Sequence, residues 1–257
     1  MLQQTPAPPV RLGLATPVED RSELSRVWTV ALPLALAVVA VVLAYTAPRW
    51  STEVFLAEGR GPVELSHFLI PLAAMAVALQ ALARLPRGST LGLRLWLAAL
   101  ALGTLYIAGE EQSWGQHFFH WSTPDEWAAI NRQQETNLHN VSSWLNHKPR
   151  VLLQLAIILG AIVLPLTAAR GWFGPLRRRL SLVLPGRSAW PLGWLAIFYM
   201  GWDHLGKNAG FPELSTRDAE MQETFIYGFL LVYAITLRNR IGRRPTGGAL
   251  ATGPAGR

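Results

Sequence analysis

The densest run of side chains able to do acid–base or metal chemistry is Gly109-Glu-Glu-Gln-Ser-Trp-Gly-Gln-His117. If the helix that leads into it continues, Tyr106, Glu110, Ser113 and His117 share one face, because seven residues make nearly two turns. Adjacent carboxylates at the end of an apolar helix are costly unless they are hydrated, paired or bound to a metal. Glu110 and Glu111 are therefore candidate catalytic groups, with a solvated helix end as the plain alternative. A second constellation follows. Thr123-Pro-Asp-Glu126 carries an N-cap, a proline at the first helical position and an acid at the third, which predicts a helix over 124–140. On that helix Asn131, Glu135 and His139 recur at i, i+4 and i+8, so Glu135 and His139 project from successive turns. This spacing lets two side chains bind one metal or form an acid–base pair, although an ordinary surface contact uses it too. The candidate catalytic residues are thus Glu110, Glu111, Glu135 and His139. The candidate ligands for a divalent metal are His117, Glu135, His139 and His204, and Arg132 and Lys207 are candidates to hold a substrate phosphate.

Three further segments deliver polar groups to apolar helix ends. Glu64, Ser66 and His67 open one stretch, Asp203 and His204 close another, and Glu220, Glu223 and Tyr227 lie along one face at the start of a third. His67 can equally serve as a donor to a neighbouring helix. Asp203 and His204 are adjacent and diverge on a helix, so at most one of them reaches a shared site. His120 and His147 have no patterned companion and read as surface residues.

The elements that must position these groups are membrane helices. Hydrophobic residues make up 51% of the 257 and charged residues 15%, against roughly 25% charged in soluble domains. Six apolar stretches predict six transmembrane helices at about 27–47, 63–82, 91–109, 151–169, 187–204 and 221–238, an all-α polytopic bundle. The last two are short, but Ser215 and Asp218 form a capping-box pattern that starts the sixth helix before its apolar part. The segment between spans three and four is expected to be an interfacial or re-entrant helix ringed by Trp114, Trp121, Trp127 and Trp144. Residues 1–26 and 239–257, rich in proline or in glycine and alanine, read as disordered head and tail.

With the N-terminus inside, 16 of the 23 basic residues fall on the inner side, so the positive-inside rule places both termini in the cytoplasm of a cell with this protein in its inner membrane. The net charge of +7 then reflects topology and contact with anionic membrane lipids rather than nucleic-acid binding. The same topology puts all six histidines, and 13 of the 16 carboxylates, at the outer side. Without cysteine there is no thiol nucleophile and no thiolate ligand.

The segment Gly109-Glu-Glu-Gln-Ser-Trp-Gly-Gln-His-Phe-Phe, then Thr123-Pro, then Asn131-x-Gln-x-Glu-x-Asn-Leu-His-Asn140, resembles a group of uncharacterised bacterial multi-pass membrane proteins over roughly 30 residues. That likeness implies a specific role for the segment and names no reaction. Ser66, His67 and Asp203 are also similar in kind to residues among which ceramidase-like membrane hydrolases hold zinc. This chain departs from them in having six predicted spans rather than seven and no His-x3-His pair. Three functions are expected to compete: an enzyme acting on a lipid or lipid-linked substrate at the outer face, a transporter, and a non-catalytic subunit that binds a partner through its outer loops.

Overall fold

A computed structural model of the chain describes residues 22–131, 133–138 and 140–242. The expected disorder of residues 1–21 and 243–257, and the roles expected of Arg132 and His139, lie outside the described residues. Within them all regular structure is helical and no strand occurs. Four helices are long and apolar enough to cross a membrane, as fits a multi-pass membrane protein: α1 (Val27–Thr46), α2 (Pro62–Ala83), α3 (Leu91–Glu111) and α4 (Lys148–Ala169). Two more, α5 (Trp190–Ala209) and α6 (Asp218–Gly242), have spanning length but a more polar composition. The sixth helix therefore runs past Arg238, and the expected tail from residue 239 is shortened.

The packing explains that composition. α6 lies along α2 and α5; α3 packs on α2 and also reaches α6, where the Trp96 indole donates to the Tyr233 hydroxyl at 2.7 Å, while α4 and the first turn of α1 lie against α5. Fourteen of the 25 residues of α6 are buried, among them Met221, Phe225, Phe229 and Leu237, whereas from Val27 to Thr46 only Thr29, Pro33 and Ala40 are. A helix surrounded by protein can carry Thr, Gln and Glu because neighbouring side chains satisfy them, and a helix against hydrocarbon cannot. Peripheral helices show the converse, with Val38, Leu95, Leu102 and Leu155 all exposed as apolar surface for a bilayer to cover.

Local breaks in the helices have chemical causes. Pro165 lacks the amide that would pair with the Ala161 carbonyl, and the preceding turn, Leu159–Val163, widens to a π-helix. The indole of Trp194 on α5 donates to that freed carbonyl at 2.8 Å. The two helices approach closely here, for a Cβ on Gly193 would lie 2.5 Å from that of Ala161. At the end of the bundle remote from the long 112–142 loop, Glu23 accepts from the Ser188 amide at 2.7 Å, from the Ser188 hydroxyl, and from Arg240 at 3.1 Å, which ties the chain start to the end of α6.

The long loop departs most from expectation. The helix over 124–140 is absent: only Asp125–Ala128 is helical. The side-chain oxygen of Asn131 accepts from the amides of Gln133 at 3.0 Å and Glu135 at 3.2 Å, and this local bonding replaces the helical pattern. α3 likewise stops at Glu111, because Ser113 and Trp114 adopt positive φ of 45° and 57° and turn the chain back. Trp114 folds over Gly109, where a Cβ would lie 2.9 Å from the ring. The continuous face expected of Tyr106, Glu110, Ser113 and His117 is thereby broken.

Candidate functional site

At the loop end of the bundle, helices from three parts of the chain bring carboxylates around one histidine. His67 and Glu64 lie three residues apart on α2, Glu220, Glu223 and Tyr227 share a face of α6, and Glu111 is the last residue of α3. The His67 side chain is 0% exposed, and its Nε2 lies 3.1 Å from the Glu220 carbonyl and 2.8 Å from Thr224 Oγ1. Its Nδ1 lies 3.6 Å from Glu111 Oε2 and 3.6 Å from Glu220 Oε2, with no hydrogen-bond partner. Tyr227 donates its hydroxyl to Glu111 Oε1 at 2.6 Å.

Two guanidiniums border the cluster. Arg217 reaches Glu220 at 3.2 Å and Glu64 at 3.5 Å, and donates to the Leu56 carbonyl at 3.0 Å. Arg150, at the start of α4, lies 3.3 Å from Glu223 and donates to Gln222 at 3.0 Å. Glu111, Glu223, Tyr227 and Arg150 form one wall of a cleft of about 100 Å³, and Ile107 and Leu153 line it further along α3 and α4. Two sets of ligand atoms could hold a metal ion, one of Glu64, His67 and Glu220 and the other of His67, Glu111 and Glu223, the atoms of each set lying within 4.8 Å of one another. Chemically the cluster offers an imidazole nitrogen facing carboxylates beside an apolar cleft.

The neighbouring residue, Glu110, also borders the cleft, but successive helix side chains diverge by about 100° and its carboxylate turns to the loop. Its two oxygens accept from the Trp114 indole at 2.6 Å and the Leu138 amide at 2.7 Å, fastening the loop to the end of α3. Most of the polar motif that follows is likewise spent on the loop itself. Gln116 accepts from the Thr136 amide at 2.8 Å and donates to Thr123 at 2.8 Å, and Trp127 donates to the Glu135 carbonyl at 2.8 Å. Glu135 accepts from Ser113 Oγ at 2.8 Å, Asn137 at 2.6 Å and His117 Nε2 at 3.0 Å. Ser113, His117 and Glu135 have the residue types of a nucleophile triad but not its connectivity. The serine proton goes to the carboxylate, and the one imidazole nitrogen, Nε2, faces both partners.

This pair sets a pH window for the loop. The hydrogen bond to Glu135 raises the His117 pKa above its ordinary 6.5, outweighing partial burial, and the bond from His117 lowers that of Glu135 below its ordinary 4.5. The histidine contribution is complete below pH 6.5 and is lost as pH rises through the raised value; the glutamate contribution is present above 4.5 and is lost as pH falls through the lowered one. Amide exchange across 131–138 is therefore expected to be slowest between these limits and to quicken on both sides. His117→Gln should remove the alkaline arm and weaken the acid arm, which Ser113 and Asn137 then sustain in part.

Of the residues singled out from sequence, Glu111 joins the central cluster, and Glu110, His117 and Glu135 belong to the loop. His204 is exposed on α5 and bonds Asn208, so it does not meet His117 and Glu135 as a ligand set. Lys207 pairs with Asp203 at 2.6 Å, and Ser66 donates to the Val63 carbonyl of its own helix. Arg150 is the cation on the cleft wall among the described residues. His67, Glu220 and Glu223 were legible only as polar groups at helix ends; their helical spacing with Glu64 and Tyr227 was the available signal, outranked by the denser motif after Gly109. The chain matches no protein family, no curated protein and no solved structure.

Proposed function

We propose that the chain is a six-span protein of the inner membrane with both termini cytoplasmic, and that it is an enzyme acting on a lipid or lipid-linked substrate at the extracytoplasmic face. The observation that carries this reading is the cleft, which joins the buried His67 and carboxylate cluster to the apolar flanks of α3 and α4. α4 packs on α5 and α6, and α3 on α2, which leaves the cleft between α3 and α4 floored by α6. A lipid entering from the bilayer side sets its headgroup against Glu111, Glu223 and Arg150 and its chains along Ile107 and Leu153. Within the cluster, a carboxylate on the cleft wall serves as general base for a water attacking an ester or phosphoester held there, and Arg150 orients Glu223 while offering charge to an anionic headgroup. Against transport, below Tyr227 the buried face of α6 turns to Phe229, Val232 and Tyr233 and continues no chain of ionisable groups toward the other end.

The test is lipid analysis of a strain lacking the gene. A lipid species should accumulate, disappear again with the wild-type gene, and persist with His67→Ala or Glu111→Gln expressed at equal level. Single cysteines, in a chain that has none, should react with an impermeant reagent at Trp121 and not at Arg87. Full correction by both variants would leave no reaction at this centre.

A further inference from the structure

We propose that His67, Glu111 and Glu223 bind one divalent transition-metal ion, with zinc the best match, leaving one coordination position open to the cleft. Its presence stands on geometry alone, and only its role rests on the enzymatic reading above. The first ground is the imidazole. A carbonyl can only accept, so Nε2, facing the Glu220 carbonyl at 3.1 Å, carries a proton, and Nδ1 is the nitrogen that presents a lone pair to a metal when the ring is neutral. Nδ1 is fully buried, has no hydrogen-bond partner, and has carboxylate oxygens of Glu111 and Glu220 each 3.6 Å away. Lone pairs and anions are brought together in a buried site when a cation lies between them. Metal-binding histidines are typically oriented by this kind of bond from the other nitrogen to a backbone carbonyl.

Charge is the second ground. Glu64, Glu111, Glu220 and Glu223 face Arg150 and Arg217 around His67. With these carboxylates ionised, and Glu58 adding another beside Arg217 at 3.8 Å, negative charge outnumbers positive, and a divalent ion offsets part of the excess.

Three features select the set. Arg217 already bridges Glu64 and Glu220, whereas Glu111 and Glu223 are each held from outside, by Tyr227 at 2.6 Å and Arg150 at 3.3 Å, and each still has an oxygen within 4.8 Å of the imidazole. Of the four carboxylates, only Glu111 and Glu223 line the cleft. In a tetrahedral site with bonds near 2.0–2.1 Å, ligand atoms sit about 3.3–3.4 Å apart, so the 3.6 Å between Nδ1 and Glu111 Oε2 needs to close by a few tenths. One nitrogen and two carboxylates without thiolate suit zinc, then manganese or iron, and three protein ligands with an open position are the pattern of catalytic zinc.

The full-length protein, purified through a tag free of histidine and without chelator, should carry roughly one zinc per chain, with His67→Ala and Glu111→Ala falling to about a tenth of that and Glu64→Gln unaffected. Should either variant fold poorly, wild-type protein stripped by chelator and titrated with cobalt gives the second readout: a visible d–d band at one equivalent, displaced by zinc. No metal as isolated, together with no cobalt band and no zinc uptake, would overturn the proposal in favour of an imidazolium paired with Glu111 and Glu220. The two readings fail separately. A metal-free protein whose His67→Ala variant still loses lipid correction keeps the enzyme and sinks the metal, while bound zinc with unchanged lipids does the reverse.

Discussion

Glu110→Ala should unfasten the long loop, while Glu111→Gln, one residue on, should leave it closed and abolish function. Glu110 is 5% exposed and accepts from the Trp114 indole and the Leu138 amide. Removing it leaves the indole of Trp114, a residue 48% exposed, and the part-buried Leu138 amide without their acceptor, at about 1–3 kcal/mol each. A loss near 3 kcal/mol, seen as a lower melting temperature in detergent and as proteolysis within 112–142, is the expected result. Glu111→Gln keeps an oxygen for the Tyr227 hydroxyl and takes one charge from a set of four crowded carboxylates, so its melting should match or slightly exceed that of wild-type protein when both are stripped of metal by chelator. Correction of the lipid defect should nonetheless vanish, because the amide can neither accept a proton nor bind a cation as a carboxylate does. If Glu111→Gln melts as low as Glu110→Ala, the two residues share a bracing role and the cluster loses its claim to chemistry.

The second large effect concerns the centre of the bundle. Phe225 is 1% exposed on α6, with its ring centroid 5.5 Å from that of Tyr199 on α5. Phe225→Ala should cost about 3–5 kcal/mol through lost contacts and the cavity left behind. Leu102→Ala on α3 makes the comparison, since Leu102 is 66% exposed on the outer surface of the bundle and its truncation should change stability by less than about 0.5 kcal/mol. Denaturation of both in the same detergent reads the difference. Equal, small losses would mean that α6 is not the helix around which the others pack.

The ordering of these two effects runs against hydropathy, and that marks the boundary between what sequence alone determined and what tertiary structure decided. Helix identity was legible because it is local. Long apolar runs such as Val27–Thr46 satisfy their backbone only as helices in a bilayer, and Ser215 and Asp218 do pair, Asp218 accepting from the Ser215 amide at 2.8 Å, although the helix begins at Asp218 itself. The gathering of ionisable groups at one end was legible too, since alternation of spans sorts residues by depth before any packing is known. Which helix lies at the centre was not. Polar content lowers the apparent membrane preference of α6, yet protein neighbours on several sides are what make that content tolerable. The loop was misread for a complementary reason: Thr123-Pro-Asp-Glu126 does start a helix, but Asn131 takes the amides of Gln133 and Glu135 and keeps the chain from continuing it, a competition that propensity cannot weigh. That early end moved Glu135 from a helical partnership with His139 to the side of His117. The adjacent glutamates show the limit most plainly. Their shared position at a helix end is a property of sequence, but a turn of about 100° between successive side chains sends one into the loop and the other toward α6, and only packing says what each meets there.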